Sequence, residues 1–259
     1  MNAYTRVLNA RNSQRPSGAY FINRLVTNFV EFHGDRRFAD DGAIIGGVGF
    51  LNDTPVTIIA MERGNDINER LKRNFGCPSP EGYRKALRLM KQAEKFKRPV
   101  ICLINSSGAF CGISAEERGQ GLAIAENLME MAALKTPIVS IVTGEGGSGG
   151  ALALSVADTI IMLENAVYSV ISPEGCASIL WKDTSKTAEA AEALKITAKD
   201  LYKFKIIENI IDEENKTNEQ ICDDLKVEIV KALKAHSKLS VDKLLENRYN
   251  KYRKIGNKI

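Results

Sequence analysis

Histidine is nearly absent from this chain: His33 and His236 are the only two in 259 residues. That scarcity removes the usual general base and the commonest metal ligand from most of the sequence. Cysteine does little to compensate. Cys77, Cys102, Cys111, Cys176 and Cys222 contain no C-x-x-C pair, so they cannot assemble a zinc ribbon or finger with two histidines. Their odd number and irregular spacing argue against a secreted disulfide scaffold. No apolar run approaches the ~20 residues that span a bilayer, and the N-terminus lacks a basic-then-apolar signal pattern. Reduced thiols and a cytoplasmic location are the resulting expectations. Charge of either sign is not in large excess: 36 Lys+Arg against 32 Asp+Glu give +4. This permits contact with an anionic ligand or nucleic acid without demanding either. No aromatic-plus-basic recognition motif supports RNA binding.

What is present is ordinary for a globular chain, with 44% hydrophobic and 26% charged residues. The length suits one large α/β domain with short terminal additions. Residues 1–16 read as a loosely packed polar lead-in. Ile22, Leu25, Val26, Phe29 and Val30 then predict an amphipathic helix over 17–32, with Ser17 as N-cap. "AIIGGVGFLNDTPVTIIAM" reads as two strands around an Asn52-Asp53 turn. Residues 64–80 read as a polar loop, followed by a helix over 80–97. From Pro99 a regular alternation begins. The apolar runs Pro99–Asn105 and Pro137–Thr143 predict strands buried on both faces. A helix over 114–134, capped by Ser114 and Glu117, separates them. "TIIMLE" and "VYSVIS" supply further strands, and the chain after Ser172 reads as helical, ending in a peripheral tail from about Thr217. Such alternation implies an α/β domain with much parallel pairing. The expected division is 1–35 lead-in, 36–212 core domain and 213–259 tail.

The chemistry concentrates at two glycine turns. "NSSGAFCG" (Asn105–Gly112) leaves the first buried strand, and "GEGGSGGA" (Gly144–Ala151) leaves the second. Small residues allow a ligand close to the backbone, while a helix start presents unpaired N–H groups at its positive end. Such turns suit a developing oxyanion. The second also matches G-x-S-x-G around Ser148, the pattern of a hydrolase nucleophile. That chemistry needs a histidine, and neither His33 nor His236 follows the turn at a strand end.

Four runs, Asn74–Phe96, Gly108–Gln120, Gly144–Leu154 and Tyr168–Lys182, resemble the carboxyltransferase alpha subunits of bacterial acetyl-CoA carboxylases. The resemblance extends from about Tyr4 to Asp212. It implies a crotonase-type α/β fold, with β-β-α units wound into a superhelix and helical additions at both ends. It implies transfer of a carboxyl group from carboxybiotin, on its carrier protein, to acetyl-CoA, giving malonyl-CoA. Gly149, Gly150 and Ala151 match the turn whose backbone amides hold the biotin ureido oxygen. Gly108, Ala109, Phe110, Gly112, Gly146 and Gly147 match positions lining the substrate. A side chain at Gly150 is expected to crowd the ligand's approach. A beta subunit with a four-cysteine zinc module is the implied partner, usually in an α2β2 assembly, and no metal is implied in this chain.

Two departures stand out. Many relatives read Asp-Thr-Pro where this chain has Asn105-Ser106-Ser107, and the loop Gly64–Glu69 lacks their lysines. A self-contained crotonase-fold hydratase or serine peptidase is the competing class. Glu174 stands near a hydratase glutamate, yet Leu152 and Leu154 occupy the region of the second one. Glu116 and Glu117 read as helix-start carboxylates, Trp181 as a helix or subunit contact, and Arg70, Lys72 and Arg73 as a basic loop.

Overall fold

Two stretches with nearly every side chain buried, Val100–Ser106 (β4) and Ile138–Gly147 (β5), form the centre of the sheet. They can be largely apolar because both faces are covered. In the computed structural model, which describes residues 1–256, the other strands are Thr27–Glu31 (β1), Ile44–Leu51 (β2), Thr54–Met61 (β3), Thr159–Leu163 (β6), Val167–Ser169 (β7) and Asn209–Ile211 (β8). The sheet order is β1-β2-β3-β4-β5-β6-β8. Strands β1 to β3 are antiparallel, and the Asn52-Asp53 turn sets Leu51 opposite Thr54. From β3 onward the pairing is parallel. The long β5 changes partners: Val139–Val142 pair with β6, and Glu145–Gly147 pair with β7.

The helices are Ala3–Arg11 (α1), Gly18–Leu25 (α2), Ile67–Lys72 (α3), Pro80–Lys95 (α4), Ile113–Glu117 (α5), Gln120–Ala133 (α6), Ser148–Leu152 (α7), Pro173–Trp181 (α8), Thr187–Ala193 (α9), Ala198–Lys203 (α10), Asn218–His236 (α11) and Val241–Lys254 (α12). On α4 the stripe Tyr83, Ala86, Leu89, Met90 and Ala93 is fully buried, at the i, i+3/i+4 spacing of an amphipathic helix. Gly46 in β2 gives it room, since a Cβ there would stand 2.5 Å from Leu89 Cδ1.

Several sequence expectations shift. The lead-in is not loose: α1 buries Ala3, Val7 and Ala10 against Val167, Ala191 and Ile196. The helix begun at Ser17, whose hydroxyl accepts the Tyr20 N–H, stops at Leu25. Val26 and Thr27 are β-branched, and the chain turns there into β1, carrying Phe29 and Val30 with it. The 64–80 loop contains α3, capped by Asp66 through the amides of Asn68 and Glu69. The 114–134 helix is broken at Gly119, which adopts φ +82 as the N-cap of α6. Gly112 rather than Ser114 caps α5. Strand β5 runs four residues past Thr143, and β8 interrupts the helical C-terminal part.

The tail from Thr217 is not peripheral. Ile221, Leu225, Ile229 and Leu233 of α11 join the main core. Arg248 of α12 is about 1% exposed. Its guanidinium donates to both Asp158 oxygens at 2.8 Å and to the carbonyls of Met131, Leu134 and Thr136. The last three residues of the basic C-terminal run, 257–259, lie outside the described residues.

Candidate active site at two mated glycine turns

Parallel pairing of β4 and β5 delivers both glycine turns to the same end of the sheet, as strand-to-helix turns of adjacent parallel strands must be. At the first, Gly108 adopts φ +149, a region open to glycine. Its N–H donates to Ser106 Oγ at 3.1 Å, and Ser106 Oγ donates to the Gly108 carbonyl at 2.7 Å. Phe110 N–H donates to the Pro78 carbonyl at 3.0 Å. Gln120 Nε2 fastens the carbonyls of Pro78 and Phe110 from α6. Asn105 is a buried strut whose Oδ1 accepts the Glu145 N–H at 3.1 Å. A neutral carboxamide suffices for that role.

At the second turn β5 runs straight into α7 with Gly147 as N-cap. Ser148, Gly149 and Gly150 are therefore the first three helical residues, whose amides have no i−4 carbonyl within the helix. Ala151 is fourth, the first whose amide can reach the cap residue's carbonyl. Ser148 itself is exposed and left-handed, with φ +53.

The turns press on each other. A Cβ on Gly147 would stand 2.1 Å from the Ser107 carbonyl oxygen. One on Gly150 would stand 2.4 Å from Ala109 N, 2.7 Å from Gly108 C and 2.8 Å from the buried Tyr83 hydroxyl. The expectation that a side chain at 150 crowds a ligand is thus corrected: it would strike the first turn's backbone. At Gly149, by contrast, the nearest atom to an added Cβ is Ile124 Cγ2 at 3.7 Å.

Two clefts flank Ser148. One, of about 290 Å³, is walled by Leu152, Tyr168, Val170, Leu201 and Ile206, with Gly149 at its edge. The other, of about 70 Å³, is lined by Arg11, Ser107, Glu145, Gly147 and Ser172 among others. Here Arg11 Nε donates to Glu145 Oε1 at 2.7 Å, while its two Nη groups donate to the Glu174 carboxylate at 2.7 and 3.2 Å. Sequence reading passed over Arg11 and Glu145. The only available signal was a charged residue between the glycines of GEGG. The Arg11 hydrogen bond, opposed by burial and helped by further hydrogen bonds, holds the Glu174 carboxyl below the usual range. It is an ion-pair partner in the first turn of α8 and not the protonated acid a hydratase needs. Leu152 and Leu154 supply no second carboxylate.

The hydrolase pattern also lacks its base. His236 Nε2 lies 2.8 Å from Thr159 Oγ1, at the end of β6 paired with Val139. Ser148 is nine extended residues further along, roughly 30 Å away at the strand rise. His33 is bonded to Asp40 at 3.0 Å. It follows β1, four strands from β5, on the order of 19 Å across the sheet. Glu116 and Glu117 are exposed, Glu116 in the first turn of α5. Arg70 and Arg73 donate to the carbonyls of Gly64 and Gly42. Trp181 lies on the surface beside exposed Ile179 and Leu180.

Comparison with known proteins decides between the remaining readings. A family model described as acetyl co-enzyme A carboxylase carboxyltransferase-like matches residues 1–256. The chain belongs to this family. It is 57% identical over 256 residues to the acetyl-coenzyme A carboxylase carboxyl transferase subunit alpha of Ruminiclostridium cellulolyticum, covering 99% of this chain and 98% of that one. It is 58% identical over 252 residues to the subunit alpha of Clostridium beijerinckii, covering 96% and 93%. Among solved structures it resembles transcarboxylase 12S with a TM-score of 0.73 at 17% identity, over 92% of this chain and 45% of that one. This chain thus spans less than half of the transcarboxylase chain. A Pseudomonas malonate decarboxylase hetero-tetramer in complex with coenzyme A gives 0.66 at 17% identity, over 82% and 86%. The crotonase-type fold expected from the sequence is borne out by these structural neighbours. No helix among the described residues is long and apolar enough to cross a membrane.

Proposed function

We infer that this chain is the alpha half of a biotin-dependent acetyl-CoA carboxyltransferase, making malonyl-CoA for fatty acid biosynthesis. The observation that carries the reading is the near full-length identity of 57% to an alpha subunit of acetyl-coenzyme A carboxylase. The hydratase and peptidase alternatives lack their second carboxylate and their base.

Biotin is compatible with the site on chemical grounds. Its ureido oxygen needs hydrogen-bond donors, and the start of α7 has three amides free of helical partners. Its thioether ring and aliphatic chain need an apolar wall, and Leu152, Val170, Leu201 and Ile206 line the adjoining cleft. When bound, carboxylated biotin supplies the carboxyl group and a basic nitrogen once that group has left. In this reading the backbone of Gly149 and Gly150 donates to the oxygen on which negative charge grows, while Ala151, the third residue of the matched turn, has the first amide that the helix itself can occupy. Donors of this kind are each worth about 10²–10³ in rate. Gly108, Ala109, Phe110, Gly112, Gly146 and Gly147 shape the approach. Their tight packing fixes the amides before the charge develops, so little reorganisation is needed.

The beta subunit would bring acetyl-CoA and the four-cysteine zinc module, and the carrier protein would deliver biotin. An α2β2 assembly in the cytoplasm follows from the same reading. So does the division of the chain into 1–35, 36–212 and 213–259, the middle segment carrying the site. The exposed Ile179, Leu180 and Trp181 fit a subunit contact. The test is reconstitution: decarboxylation of malonyl-CoA with biocytin is followed for this chain, a cognate beta subunit and both together. Only the mixture should be active. Full activity from this chain alone would overturn the assignment.

A further inference from the structure

Three arginines converge on the start of the second glycine turn from outside it. Glu145 stands between Gly144 and Gly146, with a side chain only 9% exposed. It receives Arg11 from α1 at 2.7 Å and Arg63, just beyond β3, at 3.3 Å. The fork of Arg11 also grips Glu174 in the first turn of α8. Four residues after Arg11, Arg15 Nε donates to the Thr143 carbonyl at 2.5 Å, and the same guanidinium pairs with Glu213 at 3.0 Å. The N-terminal segment therefore grips the chain on both sides of Gly144. It is itself anchored by the buried Val7 and Ala10 and by Arg6, which donates to the Glu164 carbonyl at 2.6 Å.

An unneutralised carboxylate at Glu145 would oppose chemistry at this turn. It lies three residues before Ser148 and lines the same cleft, at the other end of a turn whose amides are read above as donors to a growing negative charge. In a poorly solvated site like charges repel strongly. Neutralisation by two arginines removes that repulsion. A planar guanidinium can serve Glu145 and Glu174 together through separate N–H groups, which an ammonium does less well.

We propose that Arg11 is a positioning residue for the oxyanion turn, holding Gly144–Gly147 in place through Glu145 and Glu174 while cancelling the charge of Glu145. The role in transfer rests on the carboxyltransferase reading; the role in holding the turn does not.

The experiment compares wild type, Arg11→Lys and Arg11→Gln in the reconstituted complex and as the free chain. In the complex, Arg11→Gln should lower kcat for carboxyl transfer about tenfold or more, with KM for acyl-CoA unchanged. Arg11→Lys should recover part of the loss, because it keeps the charge but not the fork. In the free chain, amide hydrogen exchange over 144–151 should quicken in Arg11→Gln, with the β4 amides unchanged. Unaltered exchange and unaltered kcat would overturn the proposal, as would a loss confined to thermal stability or assembly. If the wild-type complex transfers no carboxyl group while exchange changes as stated, the carboxyltransferase reading fails and the positioning role stands.

Discussion

Gly150 meets Ala109 backbone to backbone: a Cβ added to Gly150 would lie 2.4 Å from the Ala109 nitrogen. This contact joins the turn that ends β5 to the turn that ends β4, and the Tyr83 hydroxyl closes it from below. Neither backbone can retreat easily, since the first turn is held by Gln120 and Pro78. The substitution Gly150→Val should therefore destabilise the chain by about 1–3 kcal/mol, the usual cost of overpacking a tight site. Urea unfolding would register this as a lower midpoint. An unchanged midpoint would mean that the turns are not in contact in solution.

Ser148 combines an exposed hydroxyl with a left-handed backbone, and no histidine lies within reach. Ser148→Ala should keep most of the transfer activity, because the turn acts through its amides. A loss above roughly a thousandfold with assembly intact would restore a nucleophilic role to the hydroxyl. Ser148→Gly relieves the positive φ and adds backbone freedom to the unfolded chain. These effects oppose each other at about 1 kcal/mol each, so its melting temperature should stay near wild type.

Arg248 is the deepest charge in the C-terminal helix, bonded to Asp158 and three carbonyls. Arg248→Ala leaves the buried Asp158 carboxylate without its partner. The expected cost is about 3–5 kcal/mol, as for breaking other buried pairs. A denaturation curve within 1 kcal/mol of wild type, roughly, would show that the tail contributes little to the fold.

The sequence was most informative where physics is local. Uninterrupted apolar runs marked β4 and β5, Asn52-Asp53 marked the hairpin, and glycine clusters marked both turns. It misled where tertiary contacts decide. Nothing in residues 1–16 signals that Arg11 and Arg15 reach 128–198 positions along the chain. A charged helix such as α12 looks peripheral until Arg248 is seen to satisfy four buried oxygen-bearing groups. Gly119 sat inside a helical pattern, and only its left-handed φ reveals the break. Within the site, residue types located the turns. Their mutual contact, and hence the reason Gly147 and Gly150 must lack side chains, required the fold.

If the start of α7 is the oxyanion site, a side chain at Gly149 should interfere with turnover. A Cβ there has only ordinary contact with Ile124, so the first side-chain carbon strikes neither turn, at the edge of the apolar cleft. Turnover of Gly149→Val should be measured in the reconstituted complex, alongside its melting temperature and assembly. Folding and assembly should be intact, with kcat lowered by about 10² or more, comparable to losing an oxyanion donor. A folded, assembled variant with wild-type turnover would contradict it and put the carboxyl-transfer site elsewhere.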